Sequence, residues 1–240
     1  MLINKLTNTL RKILPLQYCG AVIVAAGSAS RMQGIDKVMA ELSGEPMILR
    51  TVRAFQNSDV IREIVVVTRP DLIGPIMELC ADFPKVKAVV EGGADRPESV
   101  KNGLNALSSK VRLAAIQDGA RPFVTGAVID RTVRAANTYG AAAPGVAVKD
   151  TVKVVKGGIV RATPDRSALQ AIQTPQVFDI DLLKVALGKA EKDNLSITDD
   201  CSAVEAVGMT VKIVEGDEHN IKITTPMDLK IAACLLEEMQ

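Results

Sequence analysis

Short runs of contiguous apolar, β-branched residues, separated by amphipathic stretches, constrain this chain more than any other feature. The runs at residues 20–26 (GAVIVAA), 61–68 (IREIVVVT), 86–90 and 112–117 lack the strict polar alternation of a half-exposed strand. Each therefore predicts a strand buried on both faces. Between them, residues 46–56 carry apolar side chains at helical spacing (Met47, Ile48, Val52, Phe55). Helices are also expected over 70–81, with proline in the first turn, over 98–107, and over 125–138 behind a Thr cap. Strand–helix alternation of this kind predicts an α/β fold with a mainly parallel sheet covered on both faces. Ligands of such sheets bind beyond the carboxyl ends of the strands. The loops near Gly27, Gly92 and Asp118 are accordingly where chemistry is expected.

The rhythm breaks at residues 148–164. KDTVKVVKGGIVRATP reads as two short polar strands around Gly157-Gly158, a hairpin short of core residues. Such an arm either covers the site or reaches onto a partner subunit. The chain resumes with a strand-like segment over 169–178, a helix from Ile180, another from about Asp199, a strand over 211–214 and a last helix from Met227. The expected organisation is an N-terminal extension at 1–17 and a single domain over 18–240 that carries the 148–164 arm. Residues 1–17 read as a short amphipathic helix on the body or a frayed extension, not as a signal peptide.

With 240 residues, 48% of them hydrophobic, the chain can build a substantial core. A net charge of +1 supplies no global field for nucleic acid or an anionic membrane, and no apolar run reaches membrane length. Aromatics are 2% and Trp is absent, which excludes a base-stacking platform. The four cysteines have no metal-ligand spacing, and His219 is the single histidine. They read as buried thiols in a reducing compartment, so a cytoplasmic location is expected.

Three loops carry candidate chemistry. In AAGSASRMQGIDK (25–37), small residues around Gly27 let backbone amides approach an anion, and Arg31 and Lys37 add two cations. The segment matches neither the Walker nor the Rossmann glycine pattern. In QDGARPF (117–123), Asp118 ends a buried strand, a costly place for an unused charge. It can hold a divalent cation or a ribose hydroxyl, and Arg121 a phosphate. In EGGADRPESV (91–100), the glycine pair permits close approach and Ser99 stands at a helix start, suited to reading a base edge. Taken singly, each is equally an ordinary turn: two solvated cations, a capped loop, a helix signal. Pro164-Asp165-Arg166, the segment around Thr174, ITDD (197–200) and NIKIT (220–224) add further polar groups.

In this order, the AAG-x-x-x-RM loop, DGARP, D-T-V-K, TPQ-x-F, ITDD and NIKIT-x-P-x-DL resemble the 2-C-methyl-D-erythritol 4-phosphate cytidylyltransferases of the non-mevalonate isoprenoid pathway. The resemblance runs from about Gly20 to the C-terminus. It implies a Rossmann-like nucleotidyltransferase fold with a protruding β-hairpin arm exchanged in a homodimer. It also implies use of CTP and Mg²⁺, the ion bound mainly through the CTP phosphates, with release of pyrophosphate. By position, Arg31 and Lys37 match a pair that stabilises the pentacoordinate transition state, and Arg166 and Lys222 a pair that positions the acceptor phosphate. Thr151, Thr174 and Thr198 match the acceptor site, with Arg121 near it. Ala25, Ala26, Gly27, Gly93, Ala94 and Ser99 match the cytidine-binding segments. Asp118 matches an acidic residue facing the nucleotide and is the one candidate metal ligand. Ala29, Asp36 and His219 depart from the family's usual glycine, proline and acidic residue.

Elementary chemistry points the same way. A phosphate monoester is already ionised near neutral pH, so its attack needs charge neutralisation and alignment more than a strong base. Two other readings stand beside this one. A ribitol 5-phosphate (pentitol phosphate) cytidylyltransferase shares the nucleotide loop and the fold; the acceptor pocket separates the two, and the ITDD and TPQ segments favour the methylerythritol reading. A catalytically silent nucleotide-binding protein on the same fold has no need of Arg31, Lys37, Arg166 and Lys222 together.

Overall fold

A computed structural model describes residues 15–27 and 38–238. Its strands and helices follow the periodicity closely where that signal is strong. In chain order, β1 (Cys19–Val24) is followed by a small hairpin of β2 (Glu41–Leu42) and β3 (Glu45–Pro46). Then come α1 (Met47–Gln56), β4 (Ile61–Thr68), α2 (Ile73–Leu79), β5 (Val86–Glu91), α3 (Arg96–Ala106), β6 (Leu113–Asp118) and α4 (Gly126–Tyr139). Thr125 caps α4, its side chain accepting from the Val128 amide, as the sequence suggested. The helix expected over 70–81 forms in two pieces, a 3₁₀ turn at Pro70–Leu72 and then α2. Pro75 offers no amide to the ladder and Gly74 is a weak helix former, so one continuous helix is not available there.

The second half departs from simple alternation. Strand β7 (Ala141–Ala147) carries little β-branched signal, yet Ala141, Ala142 and Ala143 are fully buried. The arm forms as β8 (Val154–Lys156) and β9 (Ile159–Ala162), which among the described residues pair only with each other. The segment expected as one strand divides into β10 (Gln170–Ile172) and β11 (Gln176–Asp179), with a cis Thr174-Pro175 bond between them. Helices α5 (Ile180–Lys192) and α6 (Asp200–Ala206), strand β12 (Lys212–Glu215) and helix α7 (Pro226–Glu238) complete the described chain.

The main sheet is mixed. Strands β6, β1, β4 and β5 run parallel side by side. Beyond β6, strand β11 is antiparallel to both β6 and β7, β10 is antiparallel to β7, and β12 pairs parallel along the other side of β7. One face buries Ile23, Ile64 and Val66 with Phe55 of α1 and Ile129 of α4. The other buries Val22, Val65 and Ile116 with Leu104 of α3, Leu183 of α5 and Val204 of α6. A third cluster joins Leu42, Met47, Phe123 and Ile223 to Leu236 of α7. Helices thus cover both faces of the parallel half, and the loops after β1, β5 and β6 open at its carboxyl edge. No described helix is long and apolar enough to cross a membrane.

Candidate active site

The loops after β1 and β5 approach closely because Gly92 has no side chain. A Cβ there would stand 2.3 Å from the Ala26 Cβ, far inside van der Waals contact. The two loops are tied to the sheet through β4: the Ala25 amide donates to the Val67 carbonyl at 2.7 Å and the Gly92 amide to the Thr68 carbonyl at 2.8 Å. Side chains from the first turn of α3 then hold the β5 loop. The Ser99 hydroxyl accepts from the Gly93 amide and donates to the Asp95 carbonyl, and the Glu98 carboxylate accepts from the Ala94 amide. Asp95 caps the helix by accepting from the Glu98 amide. Ser99, expected to stand at a helix start, lies in the first turn of α3, and its hydroxyl shapes the β5 loop while facing the cleft.

Charge enters from three directions. Asp118, the last residue of β6, is 8% exposed, and its amide donates to the buried Thr174 hydroxyl at 3.1 Å. Around its carboxylate stand Lys222 Nζ at 2.8 Å, Arg121 Nε at 3.6 Å and Arg96 Nε at 3.8 Å. Burial alone would raise this carboxyl; Lys222, Arg96 and Arg121 together outweigh it and hold it below the usual aspartate range. Arg96 also reaches the fully buried Asp200 at 2.7 Å. There burial dominates, and Asp200 titrates above its usual range despite Arg96.

Lys222 lies in an irregular segment, not at the strand end expected from the sequence, and that segment is braced from below. Asn220 is fully buried and donates to the Thr174 carbonyl at 3.0 Å, while Arg121 donates to the Asn220 carbonyl at 2.6 Å. The Ile223 amide closes the turn onto the Ala120 carbonyl. Arg121 is therefore occupied in bracing Asp118 and residue 220, and burial lowers its pKa although Asp118 opposes this.

These groups line a cleft of about 370 Å³, a size suited to a small-molecule ligand. Of the residues singled out in the sequence, Ala25, Ala26, Gly27, Gly93, Ala94, Ser99, Asp118 and Lys222 all face it. Arg121 and Thr174 stand behind Asp118 and do not line it. Thr198 is exposed in the capping turn of α6, its amide donating to the Ser202 hydroxyl. Thr151 is exposed ahead of the arm, and exposed Arg166 donates to the Lys149 carbonyl at 2.8 Å. Neither lines the cleft. Arg31 and Lys37, with Ala29 and Asp36, lie outside the described residues.

The sequence reading missed Arg96, although it lies inside a quoted motif. The signal was its place in the first turn of a helix capped by Asp95, where the helix dipole disfavours a cation. Asp200 was missed as well. Arg96 and Lys222 line the cleft with Asp95 and Asp118, so the charges of its described lining balance, and Arg96 and Lys222 are the groups there that can meet an anion.

Asp118 fits poorly as the direct ligand of a divalent cation, because its oxygens already face three cations. Among the described residues no group of three His, Cys, Asp or Glu side chains can hold a metal.

Comparison with known proteins agrees with this architecture. The sequence model of the IspD family, 2-C-methyl-D-erythritol 4-phosphate cytidylyltransferase, matches residues 19–238. The chain is 45% identical over 219 residues to the protein of that name from Geobacillus kaustophilus, covering 90% of this chain and 96% of the relative. It is 43% identical over 223 residues to the one from Caldanaerobacter subterraneus subsp. tengcongensis, covering 91% and 98%. Among solved structures, 4-diphosphocytidyl-2C-methyl-D-erythritol synthase from Anaerococcus prevotii superposes with a TM-score of 0.85 at 30% identity, covering 92% of this chain and 96% of that one. The Thermus thermophilus cytidylyltransferase gives 0.75 at 31% identity, covering 90% and 98%.

Proposed function

The chain belongs to the 2-C-methyl-D-erythritol 4-phosphate cytidylyltransferase family, and from that premise we propose how its cleft works. The enzyme is a CTP-dependent nucleotidyltransferase: CTP and 2-C-methyl-D-erythritol 4-phosphate give 4-diphosphocytidyl-2-C-methyl-D-erythritol and pyrophosphate. An oxygen of the acceptor phosphate attacks the α-phosphorus of CTP. The new O–P bond forms as the bond to the bridging oxygen breaks, and pyrophosphate carries the electron pair away. The acceptor oxygen is already anionic, so no proton needs to be removed.

The observation that carries the assignment is the cleft between the β1 and β5 loops, onto which Arg96 and Lys222 face, in a chain that matches the family from residue 19 to 238. Cytidine lies against the backbone at 25–27 and 93–94, whose shape Ser99 maintains. Buried backbone donors and acceptors of this kind discriminate a 4-amino group from a carbonyl, since each unpaired group costs roughly 1–3 kcal/mol. Arg31 and Lys37 stabilise the charge that develops on the α-phosphate and the leaving group. Lys222, held by Asp118, meets the acceptor phosphate from one side. Arg166 meets it from the arm, and Thr151, Thr174, Thr198 and Arg121 shape that half. A divalent cation such as Mg²⁺, held mainly by the CTP phosphates, would neutralise their charge, while Asp118, already facing Lys222, Arg96 and Arg121, would keep those cations in place.

The protein acts as a homodimer. Support comes from Val154, Val155, Ile159 and Val160 of the arm, exposed by 49, 54, 59 and 53%. The arm expected to be polar thus presents apolar side chains that its own chain leaves uncovered. Thr151 and Arg166 flank it and stand apart from their own cleft, so exchange of arms is the arrangement that brings both to an acceptor site.

Pyrophosphate release from CTP and Mg²⁺ tests the reading, with 2-C-methyl-D-erythritol 4-phosphate and ribitol 5-phosphate as alternative acceptors. Turnover with the first and not the second is expected. The reverse order would assign the chain to pentitol phosphates, and no release with either would make it a silent relative.

A further inference from the structure

We infer that Asp200 is a positioning residue for nucleotide binding: it holds the Arg96 guanidinium along the cleft and thereby leaves Asp118 to Lys222. The inference rests on the CTP-dependent reading above and deepens it, because neither Asp200 nor Arg96 belongs to the residues assigned there.

The geometry is that of two carboxylates sharing three cations. Arg96 stands at the first position of α3 and lines the cleft. Its Nη2 lies 2.7 Å from Asp200 Oδ2, and its Nε lies 3.8 Å from Asp118 Oδ1. Asp118 Oδ2 is 2.8 Å from Lys222. Arg96 is thus closer to the acid outside the cleft than to the acid inside it.

Asp200 is a fixed anchor. It occupies the first position of α6, where the helix dipole favours its charge. Its amide and that of Cys201 both donate to Gln176 Oε1 at 3.1 Å, and Gln176 Nε2 donates to Asp199 at 2.7 Å. The side chain is fully buried, and Oδ1 has no hydrogen-bond partner among the described residues. A carboxylate taken wholly out of water with one oxygen unpartnered is an expensive way to fill that space. Packing alone would be served as well by asparagine, so the charge itself is what the site uses.

Removing that charge has a defined consequence. The remaining acids near Arg96 are Asp118, on the cleft, and Asp199, whose carboxylate already accepts from Gln176 Nε2 and the Ser202 amide. The guanidinium then turns into the cleft, contends with Lys222 for the Asp118 carboxylate, and stands where CTP must bind between residues 25–27 and 93–94. Binding of CTP weakens while the reacting groups themselves stay intact.

The test is CTP binding by calorimetry, with turnover and melting temperature measured on the same preparations of full-length protein. Asp200→Asn is expected to melt as a folded protein and to bind CTP about tenfold or more weakly, the loss of one charge-assisted contact. Its kcat at saturating CTP should fall by much less than that. Arg96→Gln should weaken CTP binding too, and the double variant should bind no more weakly than Arg96→Gln alone, because Asp200 acts through Arg96. Wild-type CTP affinity in folded Asp200→Asn overturns the inference, and so do losses that multiply in the double variant. If Asp200→Asn does not fold, wild-type CTP affinity in Arg96→Gln overturns it alone. Absence of turnover by the wild-type enzyme with CTP and acceptor would instead sink the parent reading, so the two failures are distinguishable.

Discussion

Asp118 and Asp200 sit on the same arginine and titrate in opposite directions. Both are buried, but among the described residues three cations face Asp118, whereas Asp200 meets Arg96 and the like charges of Asp118 and Asp199. Asp118, held low, contributes stability above its unfolded pKa that is lost as pH falls through its folded value. Asp200, held high, contributes stability that is complete below its unfolded pKa and is lost as pH rises through its folded value. Asparagine at 200 does not titrate. Asp200→Asn should therefore gain in melting temperature relative to wild type as pH rises through and above the usual aspartate range. Parallel melting curves over that window would contradict it. The phosphate loop carries a second prediction at this scale. Arg31→Ala and Lys37→Ala should each cost on the order of 100-fold in turnover, as expected for losing one preorganised charge at a transition state. Both variants should melt with wild type, and near-normal kcat in either one would sink its role.

Helix α3 connects the sheet to the cleft, and its contact with the sheet is set by one glycine. A Cβ on Gly103 would meet Val22 Cγ1 at 2.3 Å and Val67 Cγ2 at 2.8 Å. Both are branched side chains of central strands and cannot swing aside. Gly103→Ala should lower stability by roughly 1–3 kcal/mol of overpacking, less up to about 1 kcal/mol regained in helix propensity. Because Ser99, Glu98 and Asp95 hold the loop after β5, where cytidine is proposed to lie, from the start of the same helix, KM for CTP should rise with it. Gly126, at the start of α4, has open space where its Cβ would go, so Gly126→Ala should leave melting temperature and KM near wild type. An unchanged melting temperature in Gly103→Ala would show that α3 can shift without cost. The start of α3 was readable from the chain: Asp95 with Glu98 three residues on is a capping pattern, and it places the helix start at Arg96, ahead of the expected residue 98.

At the scale of the whole molecule, the arm is a two-stranded hairpin joined to no other described strand. Isolated hairpins are marginally stable in water, and this one presents Val154, Val155, Ile159 and Val160 to solvent. Replacing residues 153–163 with a short glycine linker should give a monomer in sedimentation and raise KM for the acceptor well above that for CTP. A variant that stays dimeric with wild-type acceptor KM would assign the arm neither task. Local periodicity in the chain was enough to determine the parallel core, the order of its elements, and the strand ends at which residues 25–27, 93–94 and 118 meet. Each of those rests on contacts within a strand or helix, and such contacts leave a repeat in the residues. Tertiary structure alone decided the rest. Strand β7 is built from alanines whose burial comes from their neighbours, and β10 and β11 run antiparallel because of how the chain returns past β6. The partition of Arg96, Arg121 and Lys222 between Asp118 and Asp200 joins segments far apart in the chain. An ion pair of that kind depends on where the backbone closes in space, and no spacing along the sequence records it.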